Sequence, residues 1–125
     1  MNREKRNWNQ PKNYWVSFNV IATEPFERKL KRLAKKYKSL KTDLVDVINE
    51  LSENPTLGTP VGKNCYKIRI AIASKGKGKS GGARIITYVR VVKSTVFLLD
   101  IYDKSEQANV SDKELQLLID ILIQE

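Results

Sequence analysis

The spacing of apolar residues changes near Cys65 from a helical to an alternating period, and this change commits the chain to an α+β fold. Before the change, Phe26, Leu30, Leu33, Ala34 and Tyr37 fall on one face of a helix, and Arg28, Lys29, Lys31, Arg32, Lys35 and Lys36 fill the rest. A break at Lys38-Ser39 leads to a second stripe, Leu40, Leu44, Val47, Ile48 and Leu51, which stops before Asn54-Pro55. Helices joined this tightly are expected to form an antiparallel hairpin. After Cys65, Tyr66, Ile68, Ile70 and Ile72 share one face of a strand, and Lys67 and Arg69 share the other. Residues 83–92 read as the next strand, and Lys93-Ser94 turns into a further one over 95–102. Short links between these strands predict an antiparallel meander.

Residues 15–21 alternate as a first strand should, and Thr23 ahead of Glu24-Pro25 suits a helix start, where a hydroxyl and an early proline both fit the free N–H groups. Ser111-Asp112-Lys113-Glu114 is a capping-box pattern opening a last helix, with Leu115, Leu118, Ile119 and Leu122 on one side. The expected order is therefore β-α-α-β-β-β-α: a small antiparallel sheet packed by an N-terminal helical hairpin, with a C-terminal helix. The hairpin should cover one face and leave the Lys67/Arg69 face partly open. Residues 1–14, polar and basic without a period, read as a flexible N-terminal extension, and 15–125 as one domain.

Charge distribution points to the class of partner. The chain carries 23 Lys+Arg against 14 Asp+Glu, a net charge of +9. Between Asn54 and Leu99 there is no acidic residue, while Lys63, Lys67, Arg69, Lys75, Lys77, Lys79, Arg84, Arg90 and Lys93 lie there, so this segment holds the whole excess. An unneutralised basic zone favours nucleic acid. An anionic membrane fits less well, because the cations are interleaved with strand-like Ile and Val instead of lying on an amphipathic helix. No apolar run is long enough to cross a bilayer, and the start lacks the apolar core of a signal peptide, so a cytoplasmic protein is expected. With one cysteine, Cys65, and no histidine, a Cys/His zinc site is excluded, and chemistry without metal or cofactor, or plain binding, remains.

The low-complexity run from Ser74 to Gly82 includes Gly78-Lys79-Ser80, which matches the end of a phosphate-binding P-loop. Ala73 stands where that motif needs its first glycine, however, and the run leads into a strand instead of a helix. As a hairpin tip, it could lay Lys75, Lys77 and Lys79 on a nucleic-acid backbone. Strand alternation puts Lys67 and Arg69 on one face, Arg84, Ile86 and Tyr88 on a face of the next strand, and Leu98, Asp100, Tyr102 and Lys104 on a face of the last. If register brings these faces together, Lys67, Arg69, Arg84 and Lys104 gather in a shallow groove, with Tyr88 and Tyr102 able to stack on bases.

Tyr66-Lys67-Ile68-Arg69, the basic loop, Gly81-Gly82-Ala83-Arg84-Ile85-Ile86 and the run Leu98-Leu99-Asp100-Ile101-Tyr102-Asp103-Lys104-Ser105-Glu106 together resemble the RelE/HigB superfamily of ribosome-dependent mRNA interferases. The resemblance spans about residues 15–124 in element order. It implies an endoribonuclease toxin of a type II toxin-antitoxin system that cuts mRNA in the ribosomal A site, the ribose 2′-hydroxyl attacking the adjacent phosphate. It places Lys67, Arg69, Arg84 and Lys104 at basic active-site positions, and it implies two kinds of partner: a cognate antitoxin, docking on the first helix and the sheet, and mRNA with the ribosome. The C-terminal tyrosine that some members use for proton transfer has no match, since Asn109, Val110 and Ser111 occupy that region.

For such a reaction Arg84 is the expected donor to the phosphoryl oxygens, its fork being bidentate. Lys67 is the expected base, because a lysine crowded by like charges can have its pKa lowered, and Lys104 or Tyr102 is the expected acid. Lys75, Lys77, Lys79, Tyr88 and Arg90 are the expected RNA- and ribosome-binding residues. A site so equipped depends on the ribosome to orient its substrate, since positioning supplies on the order of 7 kcal/mol or more. Two other readings remain open: a ParE-like gyrase inhibitor, which would not need the basic set, and a non-catalytic RNA-binding module, which would use it for affinity alone.

Overall fold

The computed structural model describes residues 17–124. The expected 1–14 extension and the start of the expected first strand, Trp15 and Val16, lie outside the described residues. Among these the elements are β1 (Asn19–Ala22), α1 (Glu24–Lys36), α2 (Leu40–Glu53), β2 (Thr59–Gly62), β3 (Cys65–Ile70), β4 (Ala83–Arg90), β5 (Thr95–Asp103) and α3 (Asp112–Gln124). Both helix starts behave as their sequences require. The Thr23 hydroxyl accepts from the Phe26 N–H at 3.4 Å, and Ser111 and Glu114 cap each other's backbone N–H groups at 3.1 and 3.2 Å.

The α+β class holds, but the sheet differs from the expected antiparallel one in two ways. It has five strands in the order β1-β5-β4-β3-β2, and β1 runs parallel to β5, with Asn19 opposite Thr95 and Ala22 opposite Leu98. The helices α1 and α2 follow β1 and carry the chain across the sheet to its far edge, so β1 is left to pair with the last strand. The unforeseen strand β2 is four residues long and contains Pro60. Such a sequence lacks a strand signal and is tolerated only at an edge, where β2 lies.

The two faces are covered unequally. Phe26, Leu33, Leu40, Leu44 and Leu51 of α1 and α2 pack on Ile68, Ile70, Ile85, Val96, Leu98 and Ile101. On the other face α3 places Leu115 and Ile119 against Cys65, Ile86, Leu99 and Tyr102. One irregularity matters for the second face. Ile86 pairs with Asp100 but Thr87 pairs with Leu98, leaving Leu99 as an extra residue. Leu98, expected on the face of Asp100 and Tyr102, is turned by this bulge into the core under α1 and α2.

Candidate active site

The register brings three expected residues into one row. Arg69 of β3 is opposite Arg84 of β4, and Arg84 is opposite Tyr102 of β5. All three belong to the face on which α3 packs. Lys67, two residues before Arg69, shares its side of β3, as strand alternation requires. Lys104 follows Tyr102 just past β5, where its N–H donates to the Gly82 carbonyl. Gly82 is needed there, because a Cβ would collide with the Ile70 carbonyl oxygen, so the ends of β3 and β4 come together only around a glycine.

Arg84, expected in a shallow groove with Lys67, Arg69 and Lys104, is turned inward. It is only 5% exposed. Its guanidinium donates to the carbonyls of Lys79 at 2.8 Å, Ala83 at 3.2 Å and Ser80 at 3.5 Å, so much of its fork is spent on the root of the glycine-lysine loop. Arg69 is exposed, at the end of β3 that β2 does not reach. It shares a shallow depression with Lys79 and with the α2 carboxylates Asp43, Asp46 and Glu50. The lysines are lightly held by the segment leading to α3: Lys67 Nζ is 3.5 Å from Asn109 Oδ1, and Lys104 Nζ donates to the Ala108 carbonyl at 3.2 Å.

Tyr102 is the exception in this row. It is 3% exposed, and among the described residues its hydroxyl has no hydrogen-bond partner. Burial pushes the phenol up from its ordinary pKa, the Arg84 charge offsets part of that, and Asp100 adds to it, so the net direction is upward and the proton stays on at neutral pH. Alternation puts Asp100 on the face of Tyr102 without giving it a role. Its side chain is buried and pairs with Lys29 of α1 at 2.6 Å; burial raises its carboxyl above the usual range, against the pull of Lys29. The available signal was an acid inside the apolar run 96–102, since buried charges need partners. The contact of Asn109 with Lys67 had no such signal, because it depends on how the segment after β5 folds back.

The expected RNA-binding set does not assemble. Lys77 and Lys79 are exposed on the loop beside Arg84. Lys75 is on the other face, where its ammonium bonds Asp103 at 2.6 Å and Ser105 Oγ at 3.0 Å and stands 5.4 Å from the centre of the Tyr37 ring. It is a structural tether and not a free cation, a result of the loop folding under α1. Tyr88 and Arg90 sit toward the opposite end of β4, Arg90 roughly 20 Å along the strand from Arg84. Tyr88 packs on Phe97 with ring centroids 6.3 Å apart. Among the described residues no group of three His, Cys, Asp or Glu side chains converges as metal ligands, and no helix is long and apolar enough to cross a membrane. Burial raises the Cys65 thiol to about 11, which removes it as a nucleophile at neutral pH.

With this geometry in place, known proteins offer two kinds of match. A family model described as the RelE toxin of the RelE / RelB toxin-antitoxin system matches residues 26–121. Among solved structures, the chain resembles a mutant of the E. coli toxin RelE in the free state, with a TM-score of 0.53, 17% identity, and coverage of 74% of this chain and 88% of the other. It also resembles a chain of the toxin-antitoxin complex RelBE2 from Mycobacterium tuberculosis, with a TM-score of 0.50, 16% identity, and coverage of 75% and 95%.

Proposed function

Because the chain belongs to the RelE family of toxins from toxin-antitoxin systems, we propose that it is a metal-independent mRNA interferase that acts in the ribosomal A site and is silenced by a cognate antitoxin. The observation that carries the reading is the Tyr102 hydroxyl, buried without a partner in the same cross-strand row as Arg84 and Arg69. A buried unpaired hydroxyl costs about 1–3 kcal/mol, and a substrate oxygen would recover that cost.

In this reading the 2′-hydroxyl of one nucleotide attacks the adjacent phosphorus, the bond to the next nucleotide's 5′ oxygen breaks, and a 2′,3′-cyclic phosphate forms. Arg69, exposed and bidentate, grips the phosphoryl oxygens. Arg84 contributes its charge from below while fixing the loop, a narrower role than its sequence position suggests. Tyr102 donates its proton to the leaving 5′ oxygen, and Lys67, in its uncharged form, takes the proton of the 2′-hydroxyl. Lys104 neutralises the phosphate beside them. Lys77 and Lys79 are left to hold the RNA backbone.

The deciding experiment incubates the purified chain with ribosomes programmed with mRNA and follows cleavage by primer extension. Wild type should cut in the A site, and Arg69→Ala should lose about 100-fold in rate with its melting temperature unchanged. Intact mRNA alongside inhibited gyrase supercoiling would overturn the reading in favour of a ParE-like inhibitor.

A further inference from the structure

At the end of the sheet away from Arg84 and Tyr102, the turn between β4 and β5 presents Val91 and Val92 to solvent, 72% and 98% exposed. Turns ordinarily carry Gly, Pro, Asn, Asp or Ser. This one is closed by the Ser94 N–H, which donates to the Val91 carbonyl at 3.0 Å, with Ser94 in the left-handed conformation. A fixed turn thus holds two β-branched apolar side chains outward. They form one wall of a hollow of about 330 Å³, and Asn64, Tyr66, Tyr88 and Arg90 supply much of the remainder. No carboxylate lines it. Two phenol rings, two valines and a guanidinium suit one flat aromatic side chain, because the rings and methyls give apolar contact and a guanidinium stacks on a π face.

The chain supplies such a side chain close by. Asn19 is opposite Thr95 in the β1–β5 pair, and Thr95 is opposite Arg90 in the β5–β4 pair. Two strand spacings therefore separate Asn19 from Arg90, roughly 10 Å. The chain also enters β1 at this end: the Phe18 N–H donates to the Ser52 carbonyl of α2, and the Asn19 N–H to the Ser94 carbonyl of the turn. Trp15 is four residues before Asn19, a reach of up to about 14 Å. Tyr14-Trp15-Val16 is uncharged, whereas Arg3, Lys5, Arg6 and Lys12 lie farther back. It is the part of residues 1–16 that can meet Arg90 and the neighbouring exposed Lys63 and Lys93 without repulsion.

We infer that Tyr14-Trp15-Val16 folds back over the β4–β5 turn and seats the Trp15 indole in this hollow, against Val91 and Val92 and beside Arg90. Other occupants suit the lining less. A second copy of the chain would bring its own Lys63, Arg90 and Lys93 against these across a two-fold contact. A polyanion would pair with the cations but gain nothing from the two valines. The docked indole would pin the entry to β1 onto the β4–β5 hairpin, joining the start of the domain to its central strands. None of this depends on the reaction proposed above, because the hollow lies at the far end of β4 from Arg84.

The test uses the full-length chain and its own fluorescence. The only tryptophans are Trp8 and Trp15, so in Trp8→Phe the emission comes from Trp15 alone. Native protein should emit to the blue of the same protein in urea, and acrylamide should quench it several-fold less. Nuclear Overhauser contacts should join the Trp15 indole to the methyls of Val91 and Val92. Replacing both valines by Ser, at exposed sites where substitutions barely alter stability, should leave unfolding cooperative and return emission and quenching to the urea values. An indole as open to acrylamide in the native as in the unfolded protein would overturn the inference. So would a shielded indole that the double variant leaves unchanged, which would seat Trp15 elsewhere. Valine methyl resonances that shift only with rising protein concentration, or only on adding an antitoxin, while the indole stays exposed, would also overturn it and assign the hollow to a second copy or to that partner.

Discussion

Tyr102 and Asp103 are consecutive residues of β5, equally buried, and they face opposite sides of the sheet into opposite environments. Asp103 receives Lys75, Tyr37 and Ser105. Burial opposes its ionisation, yet these hydrogen bonds outweigh burial and hold its carboxyl well below the usual carboxylate range. Tyr102 receives nothing from the described residues. A polar group whose partners all come from the chain serves the fold, whereas one whose partners are missing costs the fold energy and needs another reason to be there. The sheet thus separates a polar cluster under α1 that the chain itself satisfies from the row beside α3 that the proposed reaction would use.

This contrast can be broken first on the structural side. Asp103→Ala would strand the Lys75 ammonium, whose side chain is only 10% exposed, and should cost about 3–5 kcal/mol in urea denaturation. The fraction that remains folded should still cleave, and a loss below 1 kcal/mol would show that the network is dispensable. Tyr102→Phe should do the reverse. Cleavage on programmed ribosomes should fall about 100-fold, equivalent to about 2.7 kcal/mol, while stability stays equal or rises, because the hydroxyl removed had no partner. Full activity in the phenylalanine variant would remove the tyrosine from the chemistry.

The smallest effect concerns pH. A carboxylate with a depressed folded pKa contributes stability above its unfolded value, about 3.9, and loses it as pH falls toward the folded value. The stability gap between wild type and Asp103→Asn should therefore be constant from pH 5 to 8 and shrink below about pH 4. A gap as large at about pH 2 as at pH 7 would mean that ionisation of the carboxylate is not its source.

What the sequence reveals here divides along the same lines. Features set by neighbours in the chain were legible: the Thr23 cap, the Ser111/Glu114 box, the two helical stripes, and the common face of Lys67 and Arg69. Features set by distant contacts were not. Nothing around Asn19 indicates a parallel partner at Thr95, and Leu99 does not advertise that it is the extra residue that turns Leu98 away from Asp100. For the site, alternation placed Arg69, Arg84 and Tyr102 on matching faces, and register joined them. The burial of Arg84 was out of reach, because it depends on the loop carbonyls of Lys79 and Ser80 turning back onto it. Lys75, Lys77 and Lys79 look alike in sequence, yet one is a tether and two are exposed, since only Lys75 lies where the chain passes under Tyr37.

The parallel pairing of β1 with β5 also has a bearing on how the protein is made. Synthesis delivers Asn19–Ala22 early, but their hydrogen-bonding partners are Thr95–Leu98, some 76 residues later. Until those residues leave the exit tunnel, β1 has no edge to join, and α1 and α2 have no completed sheet to cover. The strands β3, β4 and β5, joined by short links, close cheaply, whereas the N-terminal strand bears the largest loop-closure cost and must wait. Completion of the fold is thereby tied to the release of β5 from the tunnel, and until then the nascent chain lacks the assembled row of Arg69, Arg84 and Tyr102.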